Sequence, residues 1–158
     1  MCDDRATGAG ATGARAIGEP APATSELRCT GVPADPGRFP GLRRALAGWA
    51  EHVGMSAEQV EALALASYEA LANVAAHAYP DGDGLLDVRA VHTPGRAEVT
   101  VTDHGTWRPS DGGPTGCGGR GLLLIDSLAE EAEITSAAGG GTSVRMAWAV
   151  DSEQPATR

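Results

Sequence analysis

The sequence contains no lysine, because all twelve of its basic residues are arginines. A P-loop NTPase needs the lysine of its phosphate loop, and a protein kinase with a glycine-rich nucleotide loop needs a lysine on a strand. The absence of lysine therefore excludes both of these nucleotide-binding classes.

Cysteine is scarce: Cys2, Cys29 and Cys117 are far apart and include no CxxC pair. Three widely spaced cysteines argue against a disulfide framework and against a structural zinc site, and they fit a reducing compartment. No run of the chain approaches the ~20 apolar residues of a membrane span. The N-terminus also lacks the apolar core of a signal peptide. We therefore expect a cytoplasmic protein with no membrane partner.

Positive charge is also in short supply, since the formal net charge is −9. A nucleic-acid-binding protein usually carries a basic patch, and no window of this chain provides one. We therefore expect no direct contact with nucleic acid. The length of 158 residues leaves room for one domain. We predict a disordered leader over residues 1–25, one domain over 26–150 and a flexible tail over 151–158, because both ends lack a hydrophobic period.

Hydrophobic periodicity within the domain predicts strands and helices in the order β-α-α-β-β-loop-α-β-β. This order of elements indicates an α+β fold, a two-layer sandwich with helices on one face of a mostly antiparallel sheet. The predicted elements are a strand at Glu26–Gly31, helices at Leu42–Val53 and Ala57–Ala78, strands at Leu85–His92 and Arg96–Asp103, a helix at Arg120–Leu128, and strands at Glu131–Ser136 and Thr142–Val150.

The second predicted helix has clear signals at its start. Ser56 stands in the N-cap position, and Gln59 stands at the third helical position. This pair predicts a capping box.

A polar stripe runs along this otherwise apolar helix. Glu69, Asn73 and His77 follow one another at intervals of four residues, which places them on one narrow face. A helix that is apolar nearly all round is buried, and a buried carboxylate needs a partner. The simpler alternative is an internal hydrogen-bond network or a helix edge that faces solvent. Three such residues followed by the motifs below favour a binding site.

Two glycine-containing turns end strands of the predicted sheet. Asp103-His-Gly105 follows a strand, and its carboxylate could accept a hydrogen bond from an exocyclic amine such as that of adenine. A second turn, Gly139–Thr142, precedes the last strand. Each turn is a weak signal when it is considered alone.

A glycine-rich segment containing Gly119, Arg120 and Gly121 opens the third predicted helix. Backbone N–H groups and the helix dipole converge at such a position and favour phosphate binding. Arg120 could add charge-assisted contacts to phosphate oxygens, although an ordinary surface arginine is an equally good interpretation.

Four motifs, namely the polar stripe, the Asp103–Gly105 turn, the glycine-rich segment and the Gly139–Thr142 turn, follow one another along the chain. In this order and spacing, they resemble the signature of the GHKL ATPases, the Bergerat ATP-binding fold shared by histidine kinases and gyrase. The resemblance covers residues 27–150. It implies that Glu69 is the catalytic general base and that Asn73 coordinates Mg²⁺. It further implies the following nucleotide-binding residues: Asn73, His77, Asp103, Gly105, Gly119, Arg120, Gly121, Leu122 and Thr142.

Within this superfamily, the chain most resembles the small bacterial serine/threonine kinases that are also anti-sigma factors. The resemblance implies ATP and Mg²⁺ as cofactors. It also implies two partners, a sigma factor and an anti-anti-sigma protein of the STAS type, whose phosphorylation switches the partner that the kinase holds. A nucleotide-binding module that sequesters a sigma factor or another partner without kinase activity is the alternative. The oligomeric state stays open, and a homodimer is one option.

Overall fold

The structure of the protein, a computed structural model, describes residues 2–5, 25–79, 83–105, 120–137 and 140–151. Its strands are β1 (Cys2–Arg5), β2 (Ser25–Pro33), β3 (Leu85–Thr93), β4 (Arg96–Asp103), β5 (Glu131–Ser136) and β6 (Thr142–Ala149). Its α-helices are α1 (Phe39–His52), α2 (Ala57–Asn73) and α3 (Arg120–Leu128). A short 3₁₀ turn (Pro36–Arg38) precedes α1, and a π-helical turn (Val74–Ala78) continues α2.

The six strands form one antiparallel sheet in the order β1-β2-β3-β4-β6-β5. Alternate residues of the central strands are buried on one face, where α2 packs against β4 and β6. The other two helices pack against α2. This arrangement confirms the predicted α+β sandwich with an antiparallel sheet.

The predicted strands of the C-terminal half match the structure to within one residue, because their alternating patterns are clear. The first helix begins at Phe39, three residues earlier than predicted, because Pro40 is tolerated in the first turn of a helix. The predicted strand 26–31 extends over Ser25–Pro33 through a register shift between Cys29 and Val32. Such an irregularity interrupts the two-residue period on which the prediction depended.

Part of the predicted leader is extended backbone. Residues 2–5 form β1, whose backbone pairs with β2 and places Cys2 opposite Cys29. Cys29 is disulfide-bonded and 1% exposed, so the prediction of a chain without disulfides is wrong at this position. The spacing of cysteines along the sequence could not show this, because the pairing of β1 with β2 decides which residues meet. Residues 1, 6–24 and 152–158 of the predicted leader and tail lie outside the described residues.

The sheet face opposite the helices carries pairs of charged side chains. Glu26 on β2 accepts hydrogen bonds from Arg89 at 2.8 Å and from Arg28 at 2.6 Å. The hydrogen bond from Arg89, followed by that from Arg28, lowers the pKa of Glu26 below its ordinary value. Arg96 and Glu131 form a similar pair at 2.8 Å between β4 and β5. Opposite charges across strands thus balance one another on this face.

Within the described parts of the chain, no helix combines the length and the apolar character that crossing a membrane would require.

The predicted capping box is present at the start of α2. The Ser56 hydroxyl accepts from the Gln59 backbone N–H at 3.1 Å, and the Gln59 side chain accepts from the Ser56 backbone N–H at 3.1 Å. We expect Ser56→Ala to lower the free energy of unfolding by about 1 kcal/mol, because a helical N–H loses its acceptor. Urea unfolding measures this change. Ser56→Asp keeps an acceptor and should lose much less, and equal losses for the two variants would contradict the assignment.

Candidate functional site

The polar stripe lies on the last turn of α2 and on the helical turn that follows it, and it is less buried than predicted. Glu69 and Asn73 are half-buried, and His77 is exposed. The α-helix ends at Asn73 and is followed by the π-helical turn Val74–Ala78, so the prediction of one α-helix over 57–78 is wrong in its last five residues. A π turn has i→i+5 hydrogen bonds and more residues per turn, which shifts His77 from its predicted angle. Turns of this kind occur frequently at functional sites.

Asn73 carries the clearest sign of an incomplete site. Its amide Nδ2 is buried and has no hydrogen-bond partner within the described ranges. A buried polar atom without a partner destabilises a protein by about 1–3 kcal/mol, so such atoms need a reason. This observation argues against an internal hydrogen-bond network as the role of Asn73. Buried polar atoms of Ser25, Trp49 and Ser67 also lack a partner among the described residues, so the position of Asn73 on the helix face of Glu69 is what favours a ligand for its amide.

The Asp103–Gly105 turn lies next to the end of this helical segment. Asp103 is 1% exposed at the end of β4, and its Oδ1 accepts a hydrogen bond from the Gly105 N–H at 3.0 Å. A Cβ on Gly105 would collide with the carbonyl oxygen of Ala78, the last residue of the π turn. The glycine therefore allows the backbone of this turn to approach the residues that follow the polar stripe.

The second glycine turn packs on the first. Strand register places Thr142 opposite Asp103, and Thr142 is 6% exposed. The Gly141 N–H donates to the Gly105 carbonyl oxygen at 2.7 Å. The structure thus brings the predicted residues Asp103, Gly105 and Thr142 together at one end of the sheet, where Gly105 borders the end of the π turn that follows α2.

Gly141 fits this position for two separate reasons. Its φ is +100°, and an added Cβ would lie 2.7 Å from the Asp103 carbonyl oxygen. We expect Gly141→Ala to lower the free energy of unfolding of the ligand-free protein by more than the ~1–2 kcal/mol of a left-handed alanine, because the clash adds to the backbone strain.

The matched control is Gly95→Ala in the β3–β4 turn, where φ is +86° and no atom lies within 4 Å of an added Cβ. This control carries the backbone strain without the clash, and urea unfolding compares the two variants. Equal losses for Gly95→Ala and Gly141→Ala would show that the contact with Asp103 has no effect.

Three further residues of this region were not predicted as site residues. Tyr79 donates a hydrogen bond through its hydroxyl to the Leu85 carbonyl oxygen at 2.6 Å and accepts one from the His104 N–H at 2.8 Å. The His104 ring lies 3.0 Å from the Asp87 carboxylate, measured from Nε2 to Oδ2. No spacing in the sequence signals these contacts, because they join three separate elements.

The glycine-rich segment is only partly described. Gly119 lies outside the described residues, while Arg120 and Gly121 form the start of α3, as predicted. Leu122 is half-buried and packs against the hydrophobic core. Because α3 packs against α2, it belongs to the same helical layer as α2.

A comparison with protein families decides the family to which the chain belongs. The model of the histidine kinase-like ATPase domain matches residues 32–148, which include α1, α2, β3, β4, α3 and β5. The chain belongs to the histidine kinase-like ATPase family. The resemblance that the sequence motifs indicated is therefore confirmed.

Relatives in this family include bacterial kinases. The chain is 33% identical over 132 residues to the serine-protein kinase RsbW of Bacillus pumilus, a match that covers 73% of this chain and 80% of the relative. It is 31% identical over 123 residues to the serine-protein kinase RsbW of Bacillus subtilis, with 68% and 77% covered.

Solved structures support the same fold. The crystal structure of the RsbU and RsbW domains of a Mycobacterium tuberculosis protein matches with a TM-score of 0.59 and 21% identity. That match covers 77% of this chain and 31% of the longer mycobacterial chain. The histidine kinase domain of a blue-light activated kinase from Erythrobacter litoralis matches with a TM-score of 0.50 and 23% identity, covering 73% of this chain and 60% of that one.

Proposed function

We propose that this protein is an ATP-dependent serine/threonine protein kinase that acts as an anti-sigma factor and phosphorylates an anti-anti-sigma partner of the STAS type. The buried, unpartnered Nδ2 of Asn73 is the observation that carries the nucleotide site. Asn73 lies on the same helix face as the half-buried Glu69, and α2 continues into the π turn whose last residue, Ala78, borders Gly105. The names of the RsbW relatives, which are serine-protein kinases, support protein serine as the acceptor.

The residues present fit a magnesium ion that is bound together with a nucleotide. Mg²⁺ usually keeps several waters and binds through one or two protein oxygens plus substrate phosphates. The described residues contain no cluster of three or more His, Cys, Asp or Glu side chains that could hold a metal by itself. Asn73 would hold Mg²⁺ through its side-chain oxygen. When bound, the ion neutralises charge on the phosphate oxygens.

Glu69 would act on the acceptor. It lies one helical turn before Asn73, so its carboxylate faces the same side of α2. Phosphate transfer depends mainly on positioning and charge neutralisation, and a general base accepts the proton of the attacking hydroxyl. Glu69 would accept that proton from a serine or threonine of the partner.

The other end of the site would recognise the base. Asp103 is almost fully buried at the end of β4, where a carboxylate oxygen can accept from the exocyclic amine of adenine. Thr142 lies opposite Asp103 and would contribute its hydroxyl. His77 would be a supporting residue at the exposed end of the stripe. Gly119, Arg120, Gly121 and Leu122 would close on the phosphates at the start of α3, since backbone N–H groups there favour anions.

Partner exchange would follow from phosphorylation of the anti-anti-sigma protein. The unphosphorylated partner competes with the sigma factor for the kinase, and the phosphorylated partner does not. The net charge of −9 agrees with regulation through protein contacts rather than through contacts with DNA.

The test combines nucleotide binding with transfer. Calorimetry with ATP, with and without Mg²⁺, should show magnesium-dependent binding at sub-millimolar concentrations. Purified STAS-type proteins of the same organism are then incubated with the kinase and γ-labelled ATP, and mass spectrometry locates phosphoserine or phosphothreonine. Absence of ATP binding would refute the proposal. ATP-dependent partner binding without transfer would support the alternative, a sequestering module without kinase activity.

A further inference from the structure

Tyr79 occupies the space between two glycines at the edge of the proposed site. A Cβ on Gly84 would collide with three ring atoms of Tyr79, and a Cβ on Gly105 would lie 2.8 Å from the Tyr79 Cε1. The ring therefore fills the space that the two missing side chains leave, immediately after the π turn Val74–Ala78.

The hydroxyl of Tyr79 joins two strand ends. It donates to the carbonyl oxygen of Leu85, the first residue of β3, at 2.6 Å. It accepts from the N–H of His104, the middle residue of the Asp103–Gly105 turn, at 2.8 Å. The Tyr79 side chain, directly after the π turn that continues α2, thus fixes the Asp103–Gly105 turn relative to the helix that carries Glu69 and Asn73.

We propose that Tyr79 is a positioning residue for base recognition. Its hydroxyl holds the Asp103–Gly105 turn at the place where the Asp103 carboxylate meets the exocyclic amine of adenine, while Asn73 on α2 meets the phosphate end of the nucleotide. This inference rests on the proposed function, because it assumes that ATP binds between these elements. A base-reading carboxylate discriminates only when its oxygen is held within hydrogen-bond distance.

A second attachment shows why loss of the Tyr79 hydroxyl would loosen the turn without unfolding it. The His104 ring Nε2 lies 3.0 Å from the Asp87 Oδ2, and the Asp87 Oδ1 accepts from the Gly31 N–H at 2.7 Å. The turn therefore stays attached to β3 through the His104 side chain. The backbone N–H of His104, beside Asp103, is the group that loses its partner.

The test is Tyr79→Phe, which keeps the ring and removes the hydroxyl. Calorimetry in the presence of Mg²⁺ compares ATP, GTP and inorganic tripolyphosphate for the full chain. We expect affinity for ATP to fall about 3- to 10-fold, which corresponds to one lost hydrogen bond. Affinity for tripolyphosphate should stay unchanged and affinity for GTP should fall less, so the preference for ATP over GTP becomes smaller.

The matched control is Tyr68→Phe, since Tyr68 and Tyr79 are the only two tyrosines of the chain. The Tyr68 ring packs edge-on against Phe39, 6.3 Å away between ring centroids, and lies under the Arg43 guanidinium. We expect this variant to leave the ratio of ATP to GTP affinity unchanged. Hydrogen exchange of the His104 amide in the ligand-free protein gives a second readout, and it should become faster in Tyr79→Phe only.

A second variant, Gly84→Ala, displaces the Tyr79 ring instead of removing its hydroxyl. Gly84→Ala places a methyl group where the Tyr79 ring lies, so it should reduce the preference for ATP in the same direction. If the wild type binds ATP and Tyr79→Phe keeps the full preference for ATP over GTP, the positioning role is overturned while the proposed function stands. If the wild type binds no ATP, the proposed function and this inference both fail.

Discussion

Glu69→Gln is expected to slow phosphate transfer to the protein acceptor by about 10²- to 10⁴-fold, the usual contribution of a general base. Glutamine has nearly the same size and keeps a side-chain oxygen, but it cannot accept the proton of the attacking hydroxyl at neutral pH. Binding of Mg-ATP should therefore change only a few-fold. Single-turnover transfer from γ-labelled ATP measures the rate, and calorimetry measures the binding.

Glu61→Gln is the matched control, because Glu61 lies on the same helix and is exposed. It should transfer phosphate at the wild-type rate. A Glu69→Gln protein with the full transfer rate would exclude Glu69 as the base. If Glu69→Gln instead reduced ATP binding and phosphate transfer by the same factor, Glu69 would be assigned to nucleotide binding.

Asn73→Ala is expected to weaken binding of Mg-ATP by roughly 10- to 100-fold, the effect of losing a hydrogen bond or an oxygen ligand to a charged group. The ligand-free protein should be as stable as the wild type or slightly more stable. The reason is that the buried Nδ2 has no partner in the described structure, and alanine is the better helix former. Calorimetry measures the affinity for Mg-ATP, and thermal unfolding measures the stability of the ligand-free protein.

Ser67→Ala separates the binding effect from the effect of removing a buried polar group. Ser67 is fully buried on α2, and its Oγ also lacks a hydrogen-bond partner in the part of the chain that is described. We expect this variant to bind Mg-ATP normally and to be no less stable than the wild type. A large loss of stability in ligand-free Asn73→Ala would show instead that Asn73 belongs to a structural network.

Local signals predicted most of the elements. The alternating residues of β4 and β5 gave both strands with their observed ends, and Ser56 with Gln59 marked the observed start of α2. These predictions succeeded because each depends on interactions within a few residues along the chain. The shared helix face of Glu69 and Asn73 was predicted for the same reason, since a spacing of four residues is a property of the α-helix itself.

Two of the errors concern features that the sequence pattern did not signal. The π turn after Asn73 replaced the predicted end of an α-helix, and the pairing of β1 with β2 placed the backbone of Cys2 opposite Cys29. Neither feature has a signal within a short window of sequence. The pairing of β1 with β2 joins segments that are separated along the chain.

The sequence by itself determined the order of the elements, the α+β class and the residue types available to the site, because periodicity, capping and spacing are local properties. Only the tertiary structure decided which of these residues meet. The register of β4 and β6 places Thr142 beside Asp103. The missing side chain of Gly105 allows the Asp103–Gly105 turn to reach Ala78, the last residue of the π turn that follows α2. The Tyr79 hydroxyl connects these parts through backbone atoms of Leu85 and His104, which no pattern of side chains encodes.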